Sequence, residues 1–298
     1  MHNNIGLIGY GEVGKIFASG LRFKAGVASV QAWDLKFMEK KTFEADELHA
    51  RGASVSVAAS MADLCSNADF LISAVTAFNT VAVAREAALH LRAGTLFLDL
   101  NSASPGSKQE AARVIEAAGG QYVEAGVMTS IPPYGIKAPM LLGGAGAAAL
   151  AARFTAWGLD ARAVSDQLGV ASAIKMCRSV MIKGLEALVI ESYATARHYG
   201  VEDHVLPTLM ETFPSIDWEK QGAYFFSRVV QHGKRRAEEM REAANTVKEA
   251  GFAPLMAAAI ADKQQWVADQ AAAGVFSEVG KDARWQSYAD ALLNHRAK

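Results

Sequence analysis

Three glycines and one aspartate near the N-terminus have the types and spacing needed to hold a phosphate-containing ligand. Gly9, Gly11 and Gly14 form a G-x-G-x-x-G pattern in IGLIGYGEVG, directly after a short apolar run and before a helical pattern. In such a turn the first glycine makes a tight bend, the second admits a pyrophosphate, and the third lets the helix pack on the strand. Asp34 follows Gly14 by twenty residues and ends the second apolar run, where a carboxylate can bond an adenosine ribose. The pattern therefore predicts a dinucleotide site.

The predicted cofactor is NAD, with NADP as the alternative. A carboxylate at Asp34 would repel the additional phosphate of NADP, and Lys36 could partly offset that repulsion. The predicted cofactor-binding residues lie in the turn and at the ends of later strands: Gly9, Tyr10, Gly11, Glu12, Val13, Gly14, Asp34, Lys36, Val75, Thr76 and Asn101. Two other interpretations stay open, a purely structural glycine turn and a methyltransferase that binds S-adenosylmethionine at a similar turn.

Composition excludes several classes of partner. The chain has 298 residues with 51% hydrophobic content, enough for one large or two smaller domains. Lys and Arg number 30 against 31 Asp and Glu, so the balance argues against nucleic acid. Cys65 and Cys177 lie outside any CxxC pattern and no HxxH or HExxH occurs, so neither a disulfide framework nor a metal is predicted. A first strand near Met1 and the lack of long apolar runs lead us to expect a cytoplasmic protein without membrane association.

Two patterns divide the chain near residue 165. From Ile5 to about Val164, short apolar runs alternate with amphipathic stretches, which indicates parallel βαβ units in a doubly wound sheet. After Ser165 the chain reads as successive helices, the first of about 30 residues. The sequence thus predicts an α/β fold, with a dinucleotide-binding Rossmann domain over 1–164 and an all-helical domain over 165–298. We expect the helical domain to contact substrate and to form a homodimer.

Four segments in fixed order carry a family resemblance: DLNSASPGSK (99–108), EAGVMTS (124–130), KAPMLLGG (137–144) and GVASAIKMCRS (169–179). With the N-terminal glycines they resemble the β-hydroxyacid dehydrogenase family, relatives of 6-phosphogluconate dehydrogenase. The resemblance covers most of the chain and weakens toward the C-terminus. It implies an NAD(P)-dependent enzyme that transfers a hydride between the cofactor and a small hydroxy acid or related carbonyl compound.

The resemblance assigns the catalytic acid/base to Lys175, which follows Gly169 by six residues as the family lysine does. Where family members often carry asparagines, this chain has Arg178 and Ser179, one helical turn beyond Lys175. A nearby guanidinium would favour the neutral amine, the form that acts as a base. The other interpretation is a lysine that packs its stem along a long helix and keeps its amine in water.

The resemblance also implies an anionic small-molecule substrate. The family's D-x-S-T-x-x-P segment falls on Asn101 and Ser102, with an amide where the family has serine, and its Ser-Gly-Gly turn falls on Met128, Thr129 and Ser130. A Lys-Asp pair of the family is replaced here by HGKRRAEEM, whose basic residues could bind an anion or form a solvated face. The predicted substrate-binding residues are Asn101, Ser102, Thr129, Ser130, Arg178, Ser179, His232 and Arg236.

Two alternatives share the predicted fold. An imine reductase would reduce C=N, and the presence of Lys175 argues against it because those enzymes often replace the lysine. A non-catalytic redox sensor would bind NAD tightly without turnover. A methyltransferase would have no need of a lysine on a long helix between two domains.

Overall fold

The computed structural model describes residues 3–280 and 282–296, and within them the chain forms eight strands and eleven α-helices. The strands are β1 Asn3–Ile8, β2 Val27–Trp33, β3 Ser56–Val57, β4 Phe70–Ser73, β5 Leu96–Asp99, β6 Gln121–Val127, β7 Met140–Gly143 and β8 Ala161–Ser165. The helices are α1 Glu12–Leu21, α2 Lys40–Gly52, α3 Met61–Asn67, α4 Thr80–Ala88, α5 Pro105–Ala117, α6 Ala147–Ala156, α7 Val170–Tyr199, α8 Glu202–Thr212, α9 Trp218–Glu249, α10 Leu255–Ala272 and α11 Trp285–Arg296.

The strands form one sheet in the order β3-β2-β1-β4-β5-β6-β7-β8. Neighbouring strands are parallel except for the antiparallel pair β6 and β7. The direction of winding reverses at β1, so the carboxyl ends of β1, β4, β5 and β6 meet at one edge. Ligands of open α/β sheets bind at such a switch point. The predicted doubly wound sheet is confirmed.

The alternating direction of side chains along the central strands explains why helices cover both faces of the sheet. On β4, Phe70 and Ile72 join the hydrophobic cluster of one face, while Leu71 joins the cluster of the other. Because successive side chains of a strand point to opposite faces, this continuous apolar run must be buried on both sides. Phe17 of α1 covers the first face, and Leu64 of α3 covers the second.

The domain boundary and two elements differ from the sequence-based expectation. The chain divides into compact units at 1–176 and 177–298, rather than at 164/165, because β8 completes the sheet and the start of α7 packs on β6. The short strand β8 was not predicted, since its residues are only partly buried and form no apolar run. Helix α8 lies where a turn was expected. It contains Pro207 and has no fully buried residue, but its Leu206 and Leu209 pack against the core of the second unit.

The described residues of the second unit form helices around an aromatic core. Tyr193 and Trp285 are fully buried, with ring centroids 4.8 Å apart in an edge-on arrangement. The predicted long helix is confirmed, since α7 runs for 30 residues. Met181 and Leu188 on α7 are exposed, and the homodimer stays a prediction. Among the helices of the described residues, none combines the length and apolar character needed to span a membrane.

Candidate active site

The glycine turn follows β1, and two of its glycines are required by the protein's own packing. Gly9 has φ +95°, and a Cβ there would lie 2.5 Å from the Ala74 carbonyl oxygen at the end of β4. A Cβ on Gly14 would lie 1.9 Å from the Gly9 carbonyl oxygen, where α1 crosses the turn. Both positions therefore exclude any side chain for steric reasons alone.

Gly11 differs from the other two because, apart from its two neighbours in the chain, no atom of the described residues lies within 4 Å of the place its Cβ would occupy. Its backbone, at φ −71° and ψ −166°, is open to any residue. It caps α1 without a side-chain hydrogen bond, and the first N–H groups of a helix have no partner within the helix. A helix N-terminus with space before it suits a phosphate group. The turn as folded fits the pyrophosphate of a dinucleotide.

Alanine substitutions at Gly11 and Gly14 should separate cofactor binding from folding. Gly11→Ala is expected to keep stability within about 1 kcal/mol but to weaken NADH binding about tenfold or more, because the methyl group occupies the phosphate approach. Gly14→Ala is expected to destabilise the protein by at least about 1–3 kcal/mol through overpacking. Fluorescence titration with NADH and urea denaturation measure the two effects. Unchanged NADH affinity in Gly11→Ala would argue against pyrophosphate at this turn.

Asp34 holds the glycine turn to the end of β2. Its Oδ2 accepts the Tyr10 backbone N–H at 2.6 Å, and its Oδ1 accepts the Lys36 backbone N–H at 2.9 Å. Each carboxylate oxygen can accept a further hydrogen bond, so a ribose hydroxyl can still be bound. Tyr10 was predicted to bind cofactor, but its side chain is buried beside Phe37 and its hydroxyl bonds His49 Nδ1 at 3.1 Å. These contacts hold the Tyr10 side chain inside the protein, next to the turn.

Asn101, predicted to bind substrate and cofactor, links β4 to β5 through its side-chain amide. Its Oδ1 accepts the Val75 N–H at 2.7 Å, and its Nδ2 donates to Ser73 Oγ at 3.0 Å. The side chain is only 3% exposed, so the amide is used within the protein. The neighbouring Ser102 is partly exposed and remains the accessible polar side chain of this pair. Val75 and the exposed Thr76 lie at the same sheet edge, after β4.

A buried ion pair beneath this loop was missed by the sequence analysis. Lys108 Nζ lies 2.9 Å from Asp99 Oδ1, and both side chains are 1% exposed. Asp99 Oδ1 also accepts the Asn101 N–H at 2.8 Å, and Asp99 Oδ2 accepts the Tyr122 hydroxyl at 2.5 Å. Burial raises the pKa of Tyr122 well above its usual value, and the Asp99 charge raises it further, so the phenol stays protonated and donates. The network fixes the backbone that carries Ser102.

Lys175 reaches this loop from the start of α7. Its Nζ donates to Ser102 Oγ at 2.5 Å, and the amine is partly buried. Gly126 of β6 allows the approach, because a Cβ there would lie 2.8 Å from the Ala171 carbonyl oxygen and 3.5 Å from Lys175 Cβ. The glycine turn follows β1 and Ser102 follows β5, two strands away, which corresponds to about 10 Å at the usual strand spacing. Lys175 thus faces the same sheet edge as the glycine turn.

The two hydroxyl residues after β6 reach the same sheet edge. Thr129 is exposed and Ser130 is partly buried. Because β5 and β6 are parallel, their carboxyl ends lie side by side. The following loop is held in place, since Ile131 is buried and its carbonyl accepts the Gly135 N–H at 2.7 Å.

The remaining predicted residues lie in the second unit, and the structure gives two of them internal roles. Arg236, predicted to bind an anion, is buried and forms a bidentate ion pair with Glu186. Ser179 is also buried, and its Oγ accepts from Lys183 Nζ at 3.2 Å. Arg178 is exposed, and the partly buried His232 lies on α9. Over residues 3–280 and 282–296, no group of three or more potential ligands is arranged to hold a metal.

Comparison with known families agrees with this geometry. Residues 4–148 match the model for the NAD-binding domain of 6-phosphogluconate dehydrogenase, and residues 196–267 match a domain of unknown function, DUF1932. The sheet, the glycine turn and this match define an NAD(P)-dependent oxidoreductase. The chain belongs to the 6-phosphogluconate dehydrogenase-like NAD-binding family, in a divergent branch.

Solved structures extend the likeness over both parts of the chain. A conserved hypothetical protein of Sinorhizobium meliloti is 36% identical with a TM-score of 0.79, over 98% of this chain and 96% of that one. A second conserved protein, described as structurally similar to 3-hydroxyacid dehydrogenases, is 31% identical with a TM-score of 0.68, over 90% of this chain and 99% of that one.

More distant structures share the fold alone. The 3-hydroxyisobutyrate dehydrogenase of Mycobacterium tuberculosis is 16% identical with a TM-score of 0.66, over 98% of this chain and 99% of its own. An imine reductase of Myxococcus stipitatus, in complex with NADP+, is 18% identical with a TM-score of 0.54, over 91% of this chain and 95% of its own.

Proposed function

We propose that the protein transfers a hydride between a nicotinamide cofactor and a small hydroxy acid or related carbonyl compound, with Lys175 as general acid/base. The observation that supports this most directly is the 2.5 Å contact between Lys175 Nζ and Ser102 Oγ, at the sheet edge that carries the glycine turn. An amine in that place can exchange a proton with a substrate oxygen. The Ser102 hydroxyl, which lies next to this amine, would give the substrate oxygen a second polar partner.

The chain's residues then have separate tasks in the reaction. The bound nicotinamide would supply the hydride acceptor for oxidation and the hydride donor for reduction. In oxidation, the neutral amine of Lys175 accepts the hydroxyl proton while the hydride leaves the same carbon. In reduction, the Lys175 ammonium returns a proton to the carbonyl oxygen. Because Ser102 Oγ accepts from Lys175, its own O–H is left to orient a substrate oxygen.

Hydroxyl groups at the sheet edge are proposed to hold a substrate carboxylate. Two adjacent parallel strands, β5 and β6, are followed by Ser102 and by Thr129 and Ser130. Thr129 is exposed, and Ser102 and Ser130 are partly exposed. Hydroxyl donors bind a carboxylate through charge-assisted hydrogen bonds. Since Asn101 is committed to the link between β4 and β5, the carboxylate is expected to contact Ser102 first.

A substrate panel tests the reaction class. We would assay 2- and 3-hydroxy acids, the matching keto acids, aldehydes and a cyclic imine with each nicotinamide cofactor, following absorbance of the reduced form. Turnover with a hydroxy acid or a carbonyl compound is the expected result. Turnover confined to the imine would instead identify an imine reductase, and tight NADH binding without any turnover would identify a sensor; either result overturns the proposal.

We further propose that NAD is preferred over NADP, because the Asp34 carboxylate lies at the end of β2 beside the turn. Asp34→Asn keeps the side-chain size and removes the negative charge that would repel a 2′-phosphate. The ratio of kcat/KM for NADH over NADPH is expected to fall about tenfold or more, since like-charge juxtaposition costs several kcal/mol. Glu44→Gln, at an exposed position of α2, is the matched control and should leave the ratio unchanged. A wild-type preference for NADPH would contradict this assignment.

A further inference from the structure

A buried carboxylate meets the start of the helix that carries Lys175. Glu124 on β6 is fully buried, and its Oε1 accepts the backbone N–H groups of Gly169 at 2.8 Å and Ala171 at 2.9 Å. The first N–H groups of a helix have no partner within the helix, and a carboxylate is attracted to that positive end. Among the residues that the structure describes, Oε2 of Glu124 has no hydrogen-bond partner. The hydrogen bonds of this carboxylate in the structure therefore all go to the start of α7.

Two glycines leave room for the contact between Glu124 and α7, because a Cβ at either position would be too close to it. A Cβ on Gly143 of the neighbouring β7 would lie 2.6 Å from Glu124 Oε1. Gly126 lies two residues beyond Glu124, so both share one face of β6. There the absent Cβ would lie 2.8 Å from the Ala171 carbonyl oxygen. Strand β6 thus contacts the start of α7 at two points. One is the hydrogen-bonded carboxylate of Glu124, and the other is the backbone of Gly126, which has no side chain.

Lys175 follows Ala171 by one helical turn, so its position depends on these contacts between β6 and the start of α7. We propose that Glu124 is a positioning residue: it sets the height of α7 over β6 so that Lys175 Nζ meets Ser102 Oγ. The inference rests on the proposed role of Lys175. Its physical basis is that a misplacement of about 1 Å can cost about 10²-fold in rate. The Ser102 side of the pair is held independently, by the buried Asp99 and Lys108 pair.

Trace chemical labelling of lysines tests the positioning without a substrate. Full-length protein is acetylated with a small amount of acetic anhydride, and mass spectrometry compares the rate at Lys175 with the rate at the exposed Lys137. In Glu124→Ala, release of Lys175 from Ser102 is expected to raise its relative labelling at least about fivefold. Glu124→Gln keeps an oxygen that can accept both N–H bonds, so it should stay within about twofold of wild type.

Two further variants keep the test decisive. Ser60→Ala removes the side-chain cap of α3, an ordinary cap away from Lys175, and should leave the labelling ratio unchanged. If Glu124→Ala does not fold, Glu124→Asp replaces it, because the shorter side chain keeps the charge and cannot reach both N–H groups. Labelling of Lys175 within twofold of wild type in the folded Ala or Asp variant would overturn the proposal.

Turnover in a double-mutant cycle distinguishes a positioning effect on Lys175 from a general loss of structure. With the compound from the panel that gives turnover, Glu124→Ala is expected to lower kcat about tenfold or more and to leave NADH binding unchanged. In the Lys175→Ala background the same change should cost nothing further, because its effect passes through Lys175. An equal loss in both backgrounds would overturn the positioning role. Normal turnover in Lys175→Ala alone would instead refute the proposed function, while the labelling result still judges the geometry.

Discussion

Replacing Lys175 by alanine is expected to lower turnover by about 10²–10⁴-fold, the usual contribution of a general acid/base. The reason is the position of its amine, which bonds Ser102 Oγ at 2.5 Å beside the sheet edge of the glycine turn. The NADH dissociation constant is expected to change little, because the turn that fits the pyrophosphate follows β1, two strands away from β5. Steady-state kinetics and fluorescence titration of the same preparation measure both quantities.

Lys175→Arg distinguishes proton transfer from simple charge. An arginine keeps the positive charge but cannot give up its proton near neutral pH. If Lys175 acts as acid/base, Arg should be nearly as inactive as Ala. If the amine only attracts an anionic substrate, Arg should restore most of the activity. Near-normal turnover in Lys175→Ala would show that another group handles the proton.

Local spacing explains why part of the site could be predicted from sequence. The requirement at Gly14 arises within six residues, because a Cβ there would meet the Gly9 carbonyl oxygen, and the positive φ of Gly9 is a property of the turn itself. The clash of a Gly9 Cβ with the Ala74 carbonyl oxygen appears only once β1 and β4 are paired. The long α7 was likewise visible as a continuous helical pattern. Lys175 was assigned through the family resemblance, because the family lysine also follows a glycine by six residues.

Long-range pairings explain why the internal partners of two predicted site residues were missed. Asn101 bonds Ser73 and Val75, which become its neighbours only once β4 and β5 are adjacent in the sheet. Arg236 was predicted to bind an anion, but its partner Glu186 lies fifty residues earlier on another helix. Neither pairing can be inferred from spacing along the chain.

A detectable signal did exist for the buried charges. Lys108 falls on the apolar face of α5, in helical register with the buried Ala111, Ala112 and Ile115. Arg236 falls in the same way among the buried residues of α9. A charged residue in the middle of an apolar helix face indicates a buried partner elsewhere. Read in that way, the sequence would have indicated buried ion pairs for both Lys108 and Arg236.

Removing the positive charge at Lys108 is expected to produce the largest loss of stability. Lys108→Met leaves the Asp99 carboxylate buried without its counter-ion, 1% exposed, and breaking such a pair typically costs about 3–5 kcal/mol. The Tyr122 hydroxyl and the Asn101 N–H remain as donors to Asp99, but neither supplies a charge. Urea denaturation, followed by a probe in the first unit, gives the free energy of unfolding. The loop that carries Ser102 should lose order with it, because Asp99 holds that backbone.

Two controls show that burial, rather than ion pairing as such, sets the size of this effect. Arg85 and Glu110 form an exposed pair at 2.5 Å that also reaches α5, and Arg85→Met should change the unfolding free energy by only about 0–1 kcal/mol. Combining Lys108→Met with Asp99→Asn removes both buried charges and should cost less than Lys108→Met alone. Equal losses for Lys108→Met and Arg85→Met, or a double variant less stable than the single one, would mean that the Asp99 charge does not need Lys108.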